Sequence, residues 1–180
     1  MPIKIVINKK SIIIFSVLFM ALTCTSSGCI SENEPKGPSL TVGDPLPVFS
    51  VLMNNRSIVS NESLKGKVSV IIFFNTKCSD CRKELPIIQQ LWETYRENQR
   101  VEVVTISREE SEEEILTYWK DNSLTLPFSP QETREIYSLF ASSIIPRIFI
   151  ANPEGIIKAA YGDNDMPILS TLIDNIESLI

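Results

Sequence analysis

Histidine is absent from all 180 residues. Without an imidazole there is no Ser-His-Asp or Cys-His hydrolase in its usual form, and no histidine-ligated metal site. Cysteine is scarce: four residues, among which Cys78 and Cys81 form the one C-x-x-C pair. A structural zinc site needs four ligands, and neither a second pair nor a histidine is present to complete it. Basic runs are lacking as well. The formal net charge is −5, and without the first 28 residues, which carry Lys4, Lys9 and Lys10 but no acid, 14 basic residues face 22 acidic ones, a net −8. An acidic chain without a basic patch binds nucleic acid poorly, so no nucleic-acid partner is expected. There is no internal repeat and no low-complexity segment.

What is present suits one globular domain: apolar residues make up 43% of a chain long enough for a single proper core. The N-terminus pairs its three lysines with a short apolar stretch over residues 11–23, the pattern of an export signal. Thirteen residues fall short of the roughly 20 that a membrane span needs. Thr25, Ser26, Ser27 and Gly28 then lead to Cys29, a loose lipobox, with Cys24 as a second candidate and an ordinary secretory signal as the plainer alternative. The expected organisation is a lipoprotein-type signal peptide over 1–28, a polar, proline-bearing flexible tether over 29–41 and one domain over 42–180. Lipidation at Cys29 would anchor the protein to a membrane without spanning it. It would also leave Cys78 and Cys81 as the free thiols, in a compartment that permits disulfides.

The domain is organised around residues 68–86. Val68–Phe74 is a continuous apolar run, the mark of a buried central strand. A polar turn follows, and a helix is predicted from the cysteines onward, with Leu85, Ile88, Leu91, Trp92 and Tyr95 at helical spacing and Pro86 kinking it. Cys78 thus falls at a helix N-terminus, where free N–H groups and the dipole favour an anion, and the thiolate is the reactive form of cysteine. Cys81 lies one turn later, within disulfide reach. A structural disulfide closing so short a loop gains little. A redox dithiol fits better, with Cys78 as nucleophile and Cys81 as resolving thiol. Lys77 and Arg82 would favour the Cys78 thiolate if they approach it, and Asp80 would oppose them.

Around this centre the pattern predicts a hairpin over 48–52 and 57–59, and a second apolar strand over 101–107. Ser111 and Glu114 form a capping box opening a helix, and the acid run from Glu109 to Glu114 reads as its solvated start. An extended stretch over 124–128 leads to Ser129-Pro130-Gln131-Glu132, which predicts a further helix capped by Ser129 and running through Ile136, Leu139 and Phe140. Ile145-Pro146 precedes a strand over 147–151, Asn152-Pro153-Glu154-Gly155 is a turn into an edge strand over 156–161, and a last apolar-faced helix starts near Pro167.

Strand, C-x-x-C and proline-bearing helix resemble the thioredoxin superfamily. Arg82-Lys83-Glu84-Leu85-Pro86, the N-terminal hairpin and the extra helix before Ile145-Pro146 are similar to its TlpA/ResA-type (AhpC/TSA-like) branch. The resemblance covers residues 42–180. It implies an α/β thioredoxin-like fold: a central mixed sheet flanked by helices, with an N-terminal β-hairpin and a central helical insertion. It further implies a cis Pro146 facing the cysteines, Ile145 presenting backbone to the substrate, and Glu84 handling protons for the thiols. The activity implied is that of a cell-envelope thiol–disulfide oxidoreductase facing the periplasm or exterior, with no cofactor and no metal. Its expected partners are disulfide-containing exported proteins, such as apocytochromes in cytochrome c maturation, and a membrane electron-donor thiol protein. This chain departs from the superfamily at Lys77, where tryptophan is usual, at Ser79-Asp80 between the cysteines, and at Ile72, where thioredoxin buries a carboxylate. Two other readings are a peroxiredoxin-type thiol peroxidase and a non-catalytic lipoprotein binding module. The first needs Pro-x-x-x-Thr-x-x-Cys, but Ile71 and Asn75 stand at the Pro and Thr positions.

Overall fold

The computed structural model describes residues 39–180. The signal-peptide reading, Cys24 and Cys29 lie outside the described residues. The elements in chain order are β1 (Ser50–Leu52), β2 (Ile58–Ser60), β3 (Val68–Phe74), α1 (Ser79–Tyr95), β4 (Val101–Ser107) and α2 (Glu112–Asp121). There follow β5 (Phe128–Ser129), α3 (Glu135–Phe140), β6 (Arg147–Ala151), β7 (Ile157–Tyr161) and α4 (Leu169–Glu177). Five strands form one mixed sheet in the order β5-β4-β3-β6-β7, while β1 and β2 make a separate antiparallel hairpin. β3 runs parallel to β4 and antiparallel to β6, and β7 closes the far edge antiparallel to β6.

All seven residues of β3 are buried, as its unbroken apolar run predicts for a central strand. Because a strand sends alternate side chains to opposite faces, Val68, Val70, Ile72 and Phe74 enter one core while Ile71 and Phe73 enter the other. On the first face α1 contributes Leu85, Ile88 and Leu91, α2 contributes Ile115 and Trp119, and α4 contributes Leu172 and Ile176. On the second, Phe49, Val51 and Val59 of the hairpin region pack with Tyr137 and Phe140 of α3. Each large apolar side chain so buried contributes about 1.5–3 kcal/mol. The sheet centre is therefore the firmest part of the molecule, and the cysteine turn hangs from its end.

Two expectations need correction. The helix predicted from Ser129 starts six residues later, at Glu135, with Arg134 in the capping position. Ser129 belongs instead to β5, and its hydroxyl donates to the Leu52 carbonyl (2.8 Å), so it is not available as a cap. Gln131 is likewise held by the sheet: its N–H donates to Ser107 Oγ (2.7 Å) and its carbonyl accepts from Glu110 N–H (2.9 Å). The acid run is not wholly solvated either. Ser111 and Glu114 do form the capping box of α2. Glu110, however, is 1% exposed and inserted under the cysteine turn. Among the described residues no helix is long and apolar enough to cross a membrane.

Candidate active site

β3 delivers the chain to the top of the sheet, where residues 75–77 turn it into α1. Asn75 organises this turn: its side-chain oxygen accepts from Lys77 N–H (2.8 Å), its amide donates to the Arg108 carbonyl (2.8 Å), and its own carbonyl accepts from Cys78 N–H (3.0 Å). Glu110 braces the turn from below. Its carboxylate accepts from Thr76 N–H (2.8 Å) and from the Thr76 hydroxyl. The parallel pairing of β3 with β4 puts these two chain ends side by side.

Cys78 is the N-cap of α1, with extended backbone (φ −81°, ψ 125°), and its carbonyl accepts the first helical bond from Arg82 N–H (3.1 Å). The N–H groups of the first turn are thereby left directed toward the thiol end of the helix, where they favour negative charge. Both cysteines are thiols; Cys78 is half-buried and Cys81 is fully buried. Burial pushes the Cys81 thiol well above the ordinary thiol range, with a backbone hydrogen bond at Asn75 acting against it.

Opposite stands the Ile145–Pro146 bond, which is cis. The Cys78 Sγ donates to the Ile145 carbonyl at 3.6 Å, and Ile145 packs against both cores. One turn after Cys81, Glu84 is 4% exposed, with an Oε1 that finds no hydrogen-bond partner. Burial alone raises its carboxyl from 4.5 to about 7. The structure thus brings Cys78 and Ile145, both part-exposed, together with the buried Pro146, and sets Cys81 and Glu84 beneath on the inner face of α1.

Lys77 and Arg82 do not join them. Lys77 Nζ pairs with Glu114 at 2.5 Å, and this partner, together with the Ser111 backbone, lowers the Glu114 carboxyl to about 2. Arg82 turns back to donate to the Thr76 carbonyl, its guanidinium 5.8 Å from the Tyr118 ring centroid. Asp80 is occupied by Lys83 (2.8 Å). Among the described residues no group of three His, Cys, Asp or Glu could hold a metal.

A half-exposed thiol at a helix N-terminus and a buried thiol one turn on can exchange two electrons with a disulfide, and a carboxyl titrating near neutrality can take up the proton that the buried thiol releases. Glu110 and Tyr137, which brace this site from either side, were not singled out in the sequence. For Glu110 the signal was its place just past the strand that pairs with β3.

Comparisons with known proteins agree with this chemistry. Residues 42–160 match the AhpC/TSA family. The chain is 26% identical over 157 residues to the thiol-disulfide oxidoreductase ResA of Bacillus subtilis, covering 86% of this chain and 87% of that protein. Among solved structures, a candidate protein disulfide isomerase from Bacteroides thetaiotaomicron superposes with a TM-score of 0.73 at 25% identity, over 80% of this chain and 92% of that one. StoA from Bacillus subtilis shares the fold, with a TM-score of 0.62 at 22% identity over 76% and 98% of the two chains.

Proposed function

This chain belongs to the AhpC/TSA family, as a ResA-type member of the thioredoxin superfamily and a thiol–disulfide oxidoreductase, and from that premise we propose that Cys78 and Cys81 are its working dithiol and exported proteins its substrates. The carrying observation is the Cys78 Sγ held 3.6 Å from the Ile145 carbonyl with Cys81 buried behind it. In the reductive direction the Cys78 thiolate attacks one sulfur of the substrate disulfide. That S–S bond breaks, a mixed disulfide forms, and the first substrate thiolate leaves and takes up a proton. Cys81 must then lose its own proton, which burial opposes. Glu84, at i+3 on the same buried face and titrating near neutrality, is the proton acceptor this step needs. The Cys81 thiolate attacks Cys78 Sγ, the second substrate thiol departs, and the pair is left as a disulfide. A donor thiol protein returns the two electrons.

The test is turnover of a protein disulfide with dithiothreitol as donor. Cys78→Ser should abolish it, and Cys81→Ser, mixed with the substrate before dithiothreitol is added, should hold a mixed disulfide that dithiothreitol then releases. Full activity in Cys78→Ser would sink the reading, while peroxide consumption beyond that of a free thiol would revive a peroxidase.

The envelope location and the anchor belong to the same reading. They are supported by Lys4, Lys9 and Lys10, the apolar stretch over 11–23 and the small residues before Cys29. Metabolic labelling with a radioactive fatty acid should mark the parent and not Cys29→Ser. Equal labelling of both would remove Cys29 as the anchor.

A further inference from the structure

The loop over residues 141–145, which leads to the cis bond, is held from beneath by a residue that the dithiol chemistry does not use. Tyr137 is 1% exposed. Its ring sits edge-on to Phe73 (5.4 Å between centroids), with the guanidinium groups of Arg108 and Arg134 at 5.1 and 5.6 Å from its centroid. Its hydroxyl reaches two consecutive carbonyls, those of Ser143 and Ile144 (2.7 Å to the second), and shares its one proton between them. Burial raises the phenol above its ordinary range, which keeps that proton in place. A third carbonyl, Ser142, accepts from Arg134 (2.8 Å). Three carbonyls in a row are thus turned inward toward α3.

Ile144 bears the consequence. It has φ +32°, a conformation that is a true outlier for a β-branched residue and persists only where surroundings impose it. Its side chain is 42% exposed, although a large apolar group of this size is commonly interior. It adjoins Ile145, whose carbonyl receives the Cys78 thiol.

We propose that Tyr137 is a positioning residue that fixes the Ser143–Ile144 carbonyls so that Ile144 is presented, exposed, immediately before the residue that meets Cys78, as the contact for an apolar side chain next to the substrate's cysteine. The substrate class is therefore an extended polypeptide disulfide whose cysteine has an apolar neighbour. This rests on the disulfide-exchange reading above and adds a sequence preference to it.

The probes are two synthetic disulfide peptides, identical except for leucine or serine beside the cysteine. The parent should favour the leucine peptide by roughly tenfold in kcat/KM, expressed in KM rather than kcat. In Ile144→Asn the ratio should fall to about one while the melting temperature holds or rises, because asparagine tolerates the left-handed conformation. Tyr137→Phe, which keeps the ring and removes the donor, should lose most of the preference. If Tyr137→Phe does not fold, Ile144→Asn decides alone. A parent ratio of about one, or a ratio that survives in Ile144→Asn or in folded Tyr137→Phe, overturns the inference. A parent inert toward both peptides overturns the disulfide-exchange reading instead.

Discussion

Glu84 is a carboxyl whose burial has a direct thermodynamic signature. In the folded chain it titrates at about 7, against 4.5 when exposed. Between those values the unfolded chain has released a proton that the folded chain keeps, so this group makes stability fall as pH rises through the window. The penalty is complete above about pH 7 and amounts to roughly 3 kcal/mol. Glu84→Gln, neutral at every pH, should exceed the parent by about 2–3 kcal/mol in urea unfolding at slightly alkaline pH and differ little from it at about pH 4. A constant gap across that range would mean that Glu84 is not held in a desolvated site. The same variant should slow the resolving attack by Cys81 while leaving the first attack by Cys78 in place. Glu84 was visible in the sequence through the resemblance to the TlpA/ResA-type branch, at the last position of Cys78-x-x-Cys81-x-x-Glu84. Glu110 was hidden by its acidic neighbours, because its burial depends on the β3–β4 register, which sets Ser107 opposite Phe74 and so brings Glu110 under Thr76, and no local pattern states that register.

Helix ends show how far local rules reach. Ser111 caps α2 and Glu114 returns the bond to the Ser111 N–H (3.1 Å), as the S-x-x-E pattern predicts, since nothing in the sheet competes for Ser111. Ser111→Ala should cost about 1 kcal/mol in chemical denaturation. An unchanged midpoint would show that the Lys77–Glu114 pair, not the cap, orders this end. Ser129-Pro130-Gln131-Glu132 looked equally convincing, but β5 and the Leu52 carbonyl claim Ser129 first. The same competition explains why Val68–Phe74, Val101–Ser107 and Arg147–Ala151 were legible to the residue. Strands buried on both faces are written as short, predominantly apolar and β-branched segments, whereas α3, only six residues long, exists because Tyr137 and Phe140 are buried rather than because its residues favour helix.

At the scale of the molecule, the distribution of charge bears on the direction of electron flow. An oxidising dithiol gains from cations that stabilise its reduced form. Here Lys77 and Arg82 are engaged with Glu114 and Thr76, and burial holds Cys81 as a thiol. The pair should accordingly equilibrate with dithiothreitol at about −270 mV, in the range of thioredoxin, and a value of about −120 mV, that of DsbA, would reverse the proposed direction. One feature of the fold also gives the molecule a mechanical side. Leu40 N–H donates to the Phe140 carbonyl (2.8 Å), so the chain enters the domain by fastening to the last residue of α3, six positions before Pro146. That bond, the packing of Leu40 in the second core and the Gly43–Ile157 bond that follows are the first ties of the chain to the domain. Were the chain anchored ahead of Leu40, as proposed, a pull there would act on the end of α3 that leads into the loop before Pro146.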